Sequence, residues 1–255
     1  MNNGISFMVR VRNEEKTLES SIRSLFDLTI PHEINIFLHC CTDNSETIAR
    51  KLADENVNIR IFIYSNKVSR AGYETLATNS NSEHSLITYY NYCFSQRTKI
   101  WSFKWDADFV ASPALINFLN STEWMYNNTN YKITYKSPIN SASEIYLSCC
   151  CSGYVKYLFW EVIQYSKNAT NITLDDSIYI NHVSVLSDVK SYWYDQPWYL
   201  TEYSEEAKNV KLRIEKLNQD YGKEPIGMAR ALNPECDSIN LKIMNTIPTY
   251  VNFYS

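Results

Sequence analysis

The chain has 255 residues, of which 45% are apolar and 20% charged, and a formal net charge of −4. That length and balance exclude a disordered chain and suit one large folded domain with a full core. A weak negative charge without any basic block excludes a nucleic-acid backbone or an anionic membrane surface as a partner.

In chain order, residues 5–11 are an apolar run that predicts a buried strand. Residues 14–28 follow as a helix with Leu18, Ile22, Leu25 and Phe26 on one face. A second strand is predicted over 34–39, a helix over 44–55 capped by Thr42 or Asp43, and an Ile-rich third strand over 58–64. Residues 82–94 read as a helix and 100–105 as a fourth strand that ends at Asp106. Strands separated by helical segments of this length imply βαβ crossovers and a largely parallel sheet, so the fold class is α/β.

The second half is less regular. Residues 133–139, 144–149 and 154–162 read as strands, 168–176 as a loop and 177–185 as a further strand. Residues 202–217 predict an exposed helix with Ala207, Val210, Leu212 and Leu217 as a partial apolar face. With no repeat and no Gly/Ser linker, the expectation is one domain over 1–255, its halves meeting near residue 118. No segment is apolar for the length a bilayer requires. The N-terminus lacks the pattern of a signal sequence, and the seven cysteines include the runs Cys40-Cys41 and Cys149-Cys150-Cys151, unsuited to disulfides. A cytoplasmic protein with reduced thiols is the expectation.

Ligands of open α/β sheets bind beyond the carboxyl ends of the strands. Three informative segments lie there: residues 10–15, 39–44 and 106–109. The sharpest is Lys104-Trp105-Asp106-Ala107-Asp108-Phe109. Carboxylates one residue apart on an extended chain are thrown to one face, where they repel, and a divalent cation relieves that repulsion. Mg²⁺ or Mn²⁺ prefers such oxygens and shares itself with substrate phosphates. Asp106 and Asp108 are therefore candidate metal ligands. His182, in an apolar segment, is either a third ligand or a satisfied core residue.

Together, Val11-Arg12-Asn13-Glu14-Glu15, Thr42-Asp43-Asn44-Ser45 and Asp106-Ala107-Asp108, each at a strand end, make the chain resemble the GT-A glycosyltransferases, family 2 in particular. The resemblance covers roughly residues 5–118. It implies a Rossmann-like nucleotide-binding half over 1–118 and a mixed acceptor-binding, closing half over 119–255, acting on a nucleotide-sugar donor and an unidentified acceptor. It further implies that Val11, Arg12 and Glu14 line the nucleobase and ribose, that Asp106 lies near the ribose and metal-bound water, and that Asp108 binds the metal on the diphosphate. The family's base-reading acid after the second strand is missing here, where Leu38-His39-Cys40 stands; His39 remains able to bond a base edge. Arg10 and Arg12 replace the family's Pro and Tyr, and either reaches a phosphate or forms a surface salt bridge with Glu14 or Glu15. Arg70, after the third strand, is a phosphate or sugar contact or a plain loop arginine.

An inverting transfer needs a carboxylate to accept the proton of the acceptor hydroxyl. In order of preference the candidates are Glu161, in an aromatic run that would raise its pKa, Asp195, flanked by Tyr194 and Trp198, and Asp176. Two rival functions share the fold: an inactive nucleotide- or sugar-binding module, and a sugar-phosphate nucleotidyltransferase. The first would be marked by loss of the paired acids, which are present; the second by a Gly-rich loop after the first strand, which Arg12-Asn13-Glu14-Glu15 does not provide.

Overall fold

A computed structural model describes residues 2–69, 73–126, 128–138, 141–149, 156–159, 162–164, 169–183 and 198–221. Strand β1 (Asn2–Val11) is central, with Ile5, Phe7, Val9 and Val11 all at most 1% exposed. It pairs in parallel with β2 (His32–His39) on one side and β4 (Lys99–Asp106) on the other, and β3 (Ile59–Tyr64) adds in parallel to β2. All eight residues of β2 are buried, as expected for a strand covered on both faces. Helix α1 (Leu18–Arg23) lays Leu18 and Ile22 on this core, and the indole of Trp105 donates to Ser21 Oγ at 3.0 Å. Phe7 stacks on Phe103 at 5.2 Å and meets Trp105 edge-on.

The sheet then becomes mixed. Its order among the described residues is β3-β2-β1-β4-β7-β6-β11-β5. Here β5 is Phe109–Ala111, β6 Thr129–Lys136, β7 Ser141–Cys149 and β11 Tyr179–His182. Strand β10 (Thr170–Thr173) lies parallel to β6, where a loop was expected. All four of its side chains are exposed, so its strand character comes from backbone pairing and left no apolar alternation to read. Helix α2 (Ser45–Glu55) matches expectation closely. The helix expected over 14–28 is confined to α1: before it the amides of Glu14 and Glu15 bond Ser45 Oγ (2.7 Å) and Asp43 Oδ2 (3.0 Å), and after it the amides of Leu25, Phe26 and Leu28 donate three residues back, in tighter turns. Helix α5 (Pro113–Ser121) went unforeseen, although its signal was present: Pro113 opens it and Ser112 accepts from the amide of Leu115 at 3.2 Å.

The described residues fall into two compact units, one within 1–65, 92–156 and 164–192, the other within 66–91, 157–163 and 193–255. The first holds the nine-stranded sheet. In the second, α3 (Tyr73–Ala77), α6 (Trp198–Thr201) and α7 (Glu205–Tyr221) enclose Ala77, Trp198, Ala207 and Val210, and Trp198 stacks on His84 at 3.9 Å. Leu212, expected on the apolar face of α7, is 62% exposed. Helix α4 (Leu86–Ser95) leads back to β4, and β8 (Lys156–Phe159) pairs with β9 (Val162–Gln164). Cys40, Cys41, Cys93 and Cys149 are thiols. Among the described residues no helix is long and apolar enough to cross a membrane.

Gly4 marks a register shift between β1 and β4, with φ +135° and a missing Cβ that would lie 2.2 Å from the carbonyl oxygen of Pro31. A side chain is barred there both by backbone conformation and by space. Gly4→Ala is therefore expected to lower stability by at least about 2 kcal/mol in urea unfolding. An unchanged midpoint would mean that the edge of β1 relaxes freely.

Candidate functional site

The parallel strands deliver their carboxyl ends side by side, with Arg10 opposite Phe37 on β2 and opposite Asp106 on β4. Beyond β1 and β2 the chain turns at once: Asn13 has φ 57° and Cys40 φ 47°, a region that side-chain-bearing residues visit rarely. The two turns are laced together. Asn13 Oδ1 accepts from the amide of Thr42 at 2.7 Å, Cys41 Sγ donates to the carbonyl of Val11 at 3.4 Å, and Glu15 Oε2 accepts from Asn44 N (3.1 Å) and Nδ2 (2.9 Å). Asp43 Oδ1 accepts from the amide of Ser45 at 2.9 Å, but neither expected cap takes the N-cap position of α2, which Asn44 occupies without a side-chain capping bond. This interlocking brings the first two motifs together, and the β1–β4 register sets Asp106 of the third opposite Arg10. Val11 is 1% exposed and His39 4%, the latter with its ring 6.2 Å from Tyr64. Arg12 is partly exposed at the turn.

The paired acids do not stand bare. Asp106 is bonded by the guanidinium of Arg10, and Lys104 Nζ lies 4.0 Å from its other oxygen. Arg10 thus pairs with Asp106, not with Glu14 or Glu15 as the surface alternative had it. Burial pushes the Asp106 carboxyl up, but Lys104 and Arg10 outweigh it and hold the group below its ordinary range. About a third of the Asp106 side chain stays accessible, at 33%. Sequence reading passed over Lys104; its signal was a lysine inside an apolar strand, two residues before Asp106 and so on the same face.

Asp108 is met by His182. Strand β11 runs antiparallel to β5, placing His182 opposite Phe109, and the amide of Val183 donates to the carbonyl of Asp108 at 2.9 Å. His182 Nε2 then lies 2.8 Å from Asp108 Oδ2, its ring edge-on to Phe109 and Tyr135. Burial pushes the imidazole down, yet the Asp108 bond and charge, with Asp106 and Glu14 behind them, raise it above its usual value. Among the described residues no three His, Cys, Asp or Glu side chains form a ready-made metal cage. Asp108 and His182 are joined directly, by a hydrogen bond of 2.8 Å, which a cation held by both would replace. A site that shares its metal with phosphate oxygens and water needs few protein ligands.

Glu14 lies beside this group. Its carboxyl is pushed up to about 8, first by burial, then by the charge of Asp108, with Asp106 and Asp43 adding to it and the Thr17 hydroxyl bond opposing. The folded chain therefore binds this proton more tightly than the unfolded one. Stability falls as pH rises from 4.5 towards about 8 and levels off above that. Glu14→Gln should flatten that portion of the stability-versus-pH curve. Parallel curves for the two proteins across this window would show that Glu14 titrates normally.

Of the other expected site residues, Asp176 is not brought to this group. It lies in the exposed turn before β11, bonded by the hydroxyl of Thr134 at 2.8 Å, at the opposite end of that strand from His182. Glu161, Asp195 and Arg70 lie outside the described residues.

No family model and no curated protein matches the chain. Solved structures do. S. aureus TarS 1-349 in complex with UDP-GlcNAc is 13% identical at a TM-score of 0.54, covering 96% of this chain and 78% of that one. Another crystal structure of S. aureus TarS 1-349 gives 14% and 0.51, with 96% and 77% covered. The mannosyltransferase PcManGT from Pyrobaculum calidifontis, in complex with GDP-Man and Mn²⁺, is 11% identical at 0.51, covering 94% and 76%. At such identities the likeness concerns architecture alone. The parallel β3-β2-β1-β4 core, its mixed extension and these neighbours establish one conclusion: the chain has the fold of the GT-A glycosyltransferases.

Proposed function

We propose that this protein is a metal-dependent, inverting glycosyltransferase of the family 2 type that takes a sugar from a nucleotide-sugar donor. The observation that carries the reading is the Asp108–His182 pair, joined across 74 residues beside Asp106 and the interlocked β1 and β2 turns. In this reading Asp108 and His182 hold Mn²⁺ or Mg²⁺, with the accessible edge of Asp106 facing the ribose and metal-bound water. Val11, Arg12 and Glu14 line the nucleoside, His39 stands behind them, and Arg70 reaches the phosphates or sugar. A divalent ion bound there supplies Lewis-acid neutralisation of the leaving diphosphate. The acceptor hydroxyl loses its proton to a carboxylate, with Glu161 first in order and Asp195 second.

A thermal-shift screen against UDP-, GDP- and dTDP-linked sugars with Mn²⁺ tests this. One donor at saturating concentration should raise Tm by roughly 5–10 °C, and incubation with that donor should release its nucleoside diphosphate. If no nucleotide sugar stabilises the protein, the reading is wrong; stabilisation without any turnover or transfer would favour a binding module instead.

A further inference from the structure

Among the described residues, the paired acids have cationic neighbours within the chain itself. Arg10 and Lys104 rise from adjacent strands with side chains only 11% and 10% exposed, and both are directed at Asp106. Asp108, the second acid, is 14% exposed and faces His182. Among the described residues, two cations therefore stand against these two carboxylates, with the His182 imidazole at their edge and the Glu14 carboxyl beside them. Lys104 is further held by the face of Tyr146, 6.0 Å from its Nζ. An anion approaching bare twin acids is repelled until a divalent cation intervenes. An anion approaching this group also meets the fields of Arg10 and Lys104, which offset the Asp106 charge and, being buried, are screened little by solvent.

We propose that Arg10 and Lys104 act as positioning residues that let the diphosphate of the donor bind before any divalent cation, so that the cation is required for transfer and not for binding. They act through Asp106, whose charge they neutralise, and through the field they set at the mouth of the sheet. The inference rests on the donor-site reading given above.

Calorimetric titration of the full chain with UDP and with GDP, in EDTA and in Mn²⁺, tests it. The wild-type dissociation constant in EDTA should lie within about tenfold of that in Mn²⁺ for the better nucleotide. Lys104→Met keeps the Arg10–Asp106 bond and most of the side-chain volume. It should weaken metal-free binding by about tenfold or more while changing binding in Mn²⁺ by less than about threefold. Asp106→Asn leaves both cations and removes one negative charge, so metal-free binding should tighten, a direction that structural damage does not produce. Binding that requires Mn²⁺ in the wild type overturns the inference, as does a Lys104→Met loss that is equal in both conditions. Should Lys104→Met fail to fold, Asp106→Asn decides alone, and weaker metal-free binding in it counts against the proposal. If neither nucleotide nor any other nucleoside diphosphate binds with or without Mn²⁺, the donor-site reading itself falls.

Discussion

Metal-stimulated transfer by the Asp108→Asn variant is expected to fall by about a hundredfold to a thousandfold, the range seen when one pre-organised group that stabilises transition-state charge is removed. Asparagine keeps the shape of Asp108 and its capacity to bond His182 Nε2, 2.8 Å away, but not the charge that grips a cation. The backbone bond from Val183 to the carbonyl of residue 108 does not depend on the side chain, so β5 and β11 stay paired. The loss should appear in kcat, because the interaction is strongest when charge develops on the leaving diphosphate. His182 provides an independent readout. Without the Asp108 charge its raised pKa should drop, visible as a shifted imidazole titration by NMR. Wild-type rates in Asp108→Asn, with Mn²⁺ still stimulating them, would remove Asp108 from the metal site.

The second large effect concerns stability and lies at the opposite end of the sheet. Glu33 opens β2 with a side chain only 7% exposed, and its carboxylate gathers the strands around it. Ser6 Oγ of β1 donates at 2.6 Å, Asn35 at 3.0 Å, the amide and hydroxyl of Thr98 at 2.7 Å each, and Arg60 of β3 at 3.1 Å. Glu33→Ala leaves these donors without their acceptor, and the loss should be about 3–5 kcal/mol by urea denaturation. Glu33→Gln restores the shape and one acceptor oxygen and should recover part of it. Burial pushes the Glu33 carboxyl up, but the Ser6 and Thr98 hydrogen bonds prevail and hold it below its ordinary 4.5. The folded state therefore binds this proton less tightly than the unfolded state. The stabilisation is complete above pH 4.5 and disappears as pH falls through the folded value, so the acid limb of unfolding should be less steep in Glu33→Gln. A Glu33→Ala change worth less than about 1 kcal/mol would show that the strand ends rearrange around water.

Neither effect has the same visibility in the amino-acid order. Asp106 and Asp108 stand out because two acids after an apolar strand are unusual, whereas Glu33 looks like an ordinary polar residue before an apolar run. Its five donors come from four separate segments, and only the pairing of β1, β2, β3 and β4 assembles them. Lys104 is an intermediate case: an apolar strand containing a lysine signals a buried partner without naming it. His182 was singled out, but its choice of Asp108 depends on β11 folding back against β5.

What the amino-acid order determined by itself is the parallel core. Strands buried on both faces must be apolar at successive positions, so β1, β2 and β4 announce themselves locally, and their polar ends mark the mouth of the sheet. Tertiary structure decided the electrostatics of that mouth: which cation meets Asp106, which ring meets Asp108, and how far burial lifts the Glu14 proton. Such pairings join residues 74 to 96 positions apart, and strand register, invisible in any local window, sets which charges touch.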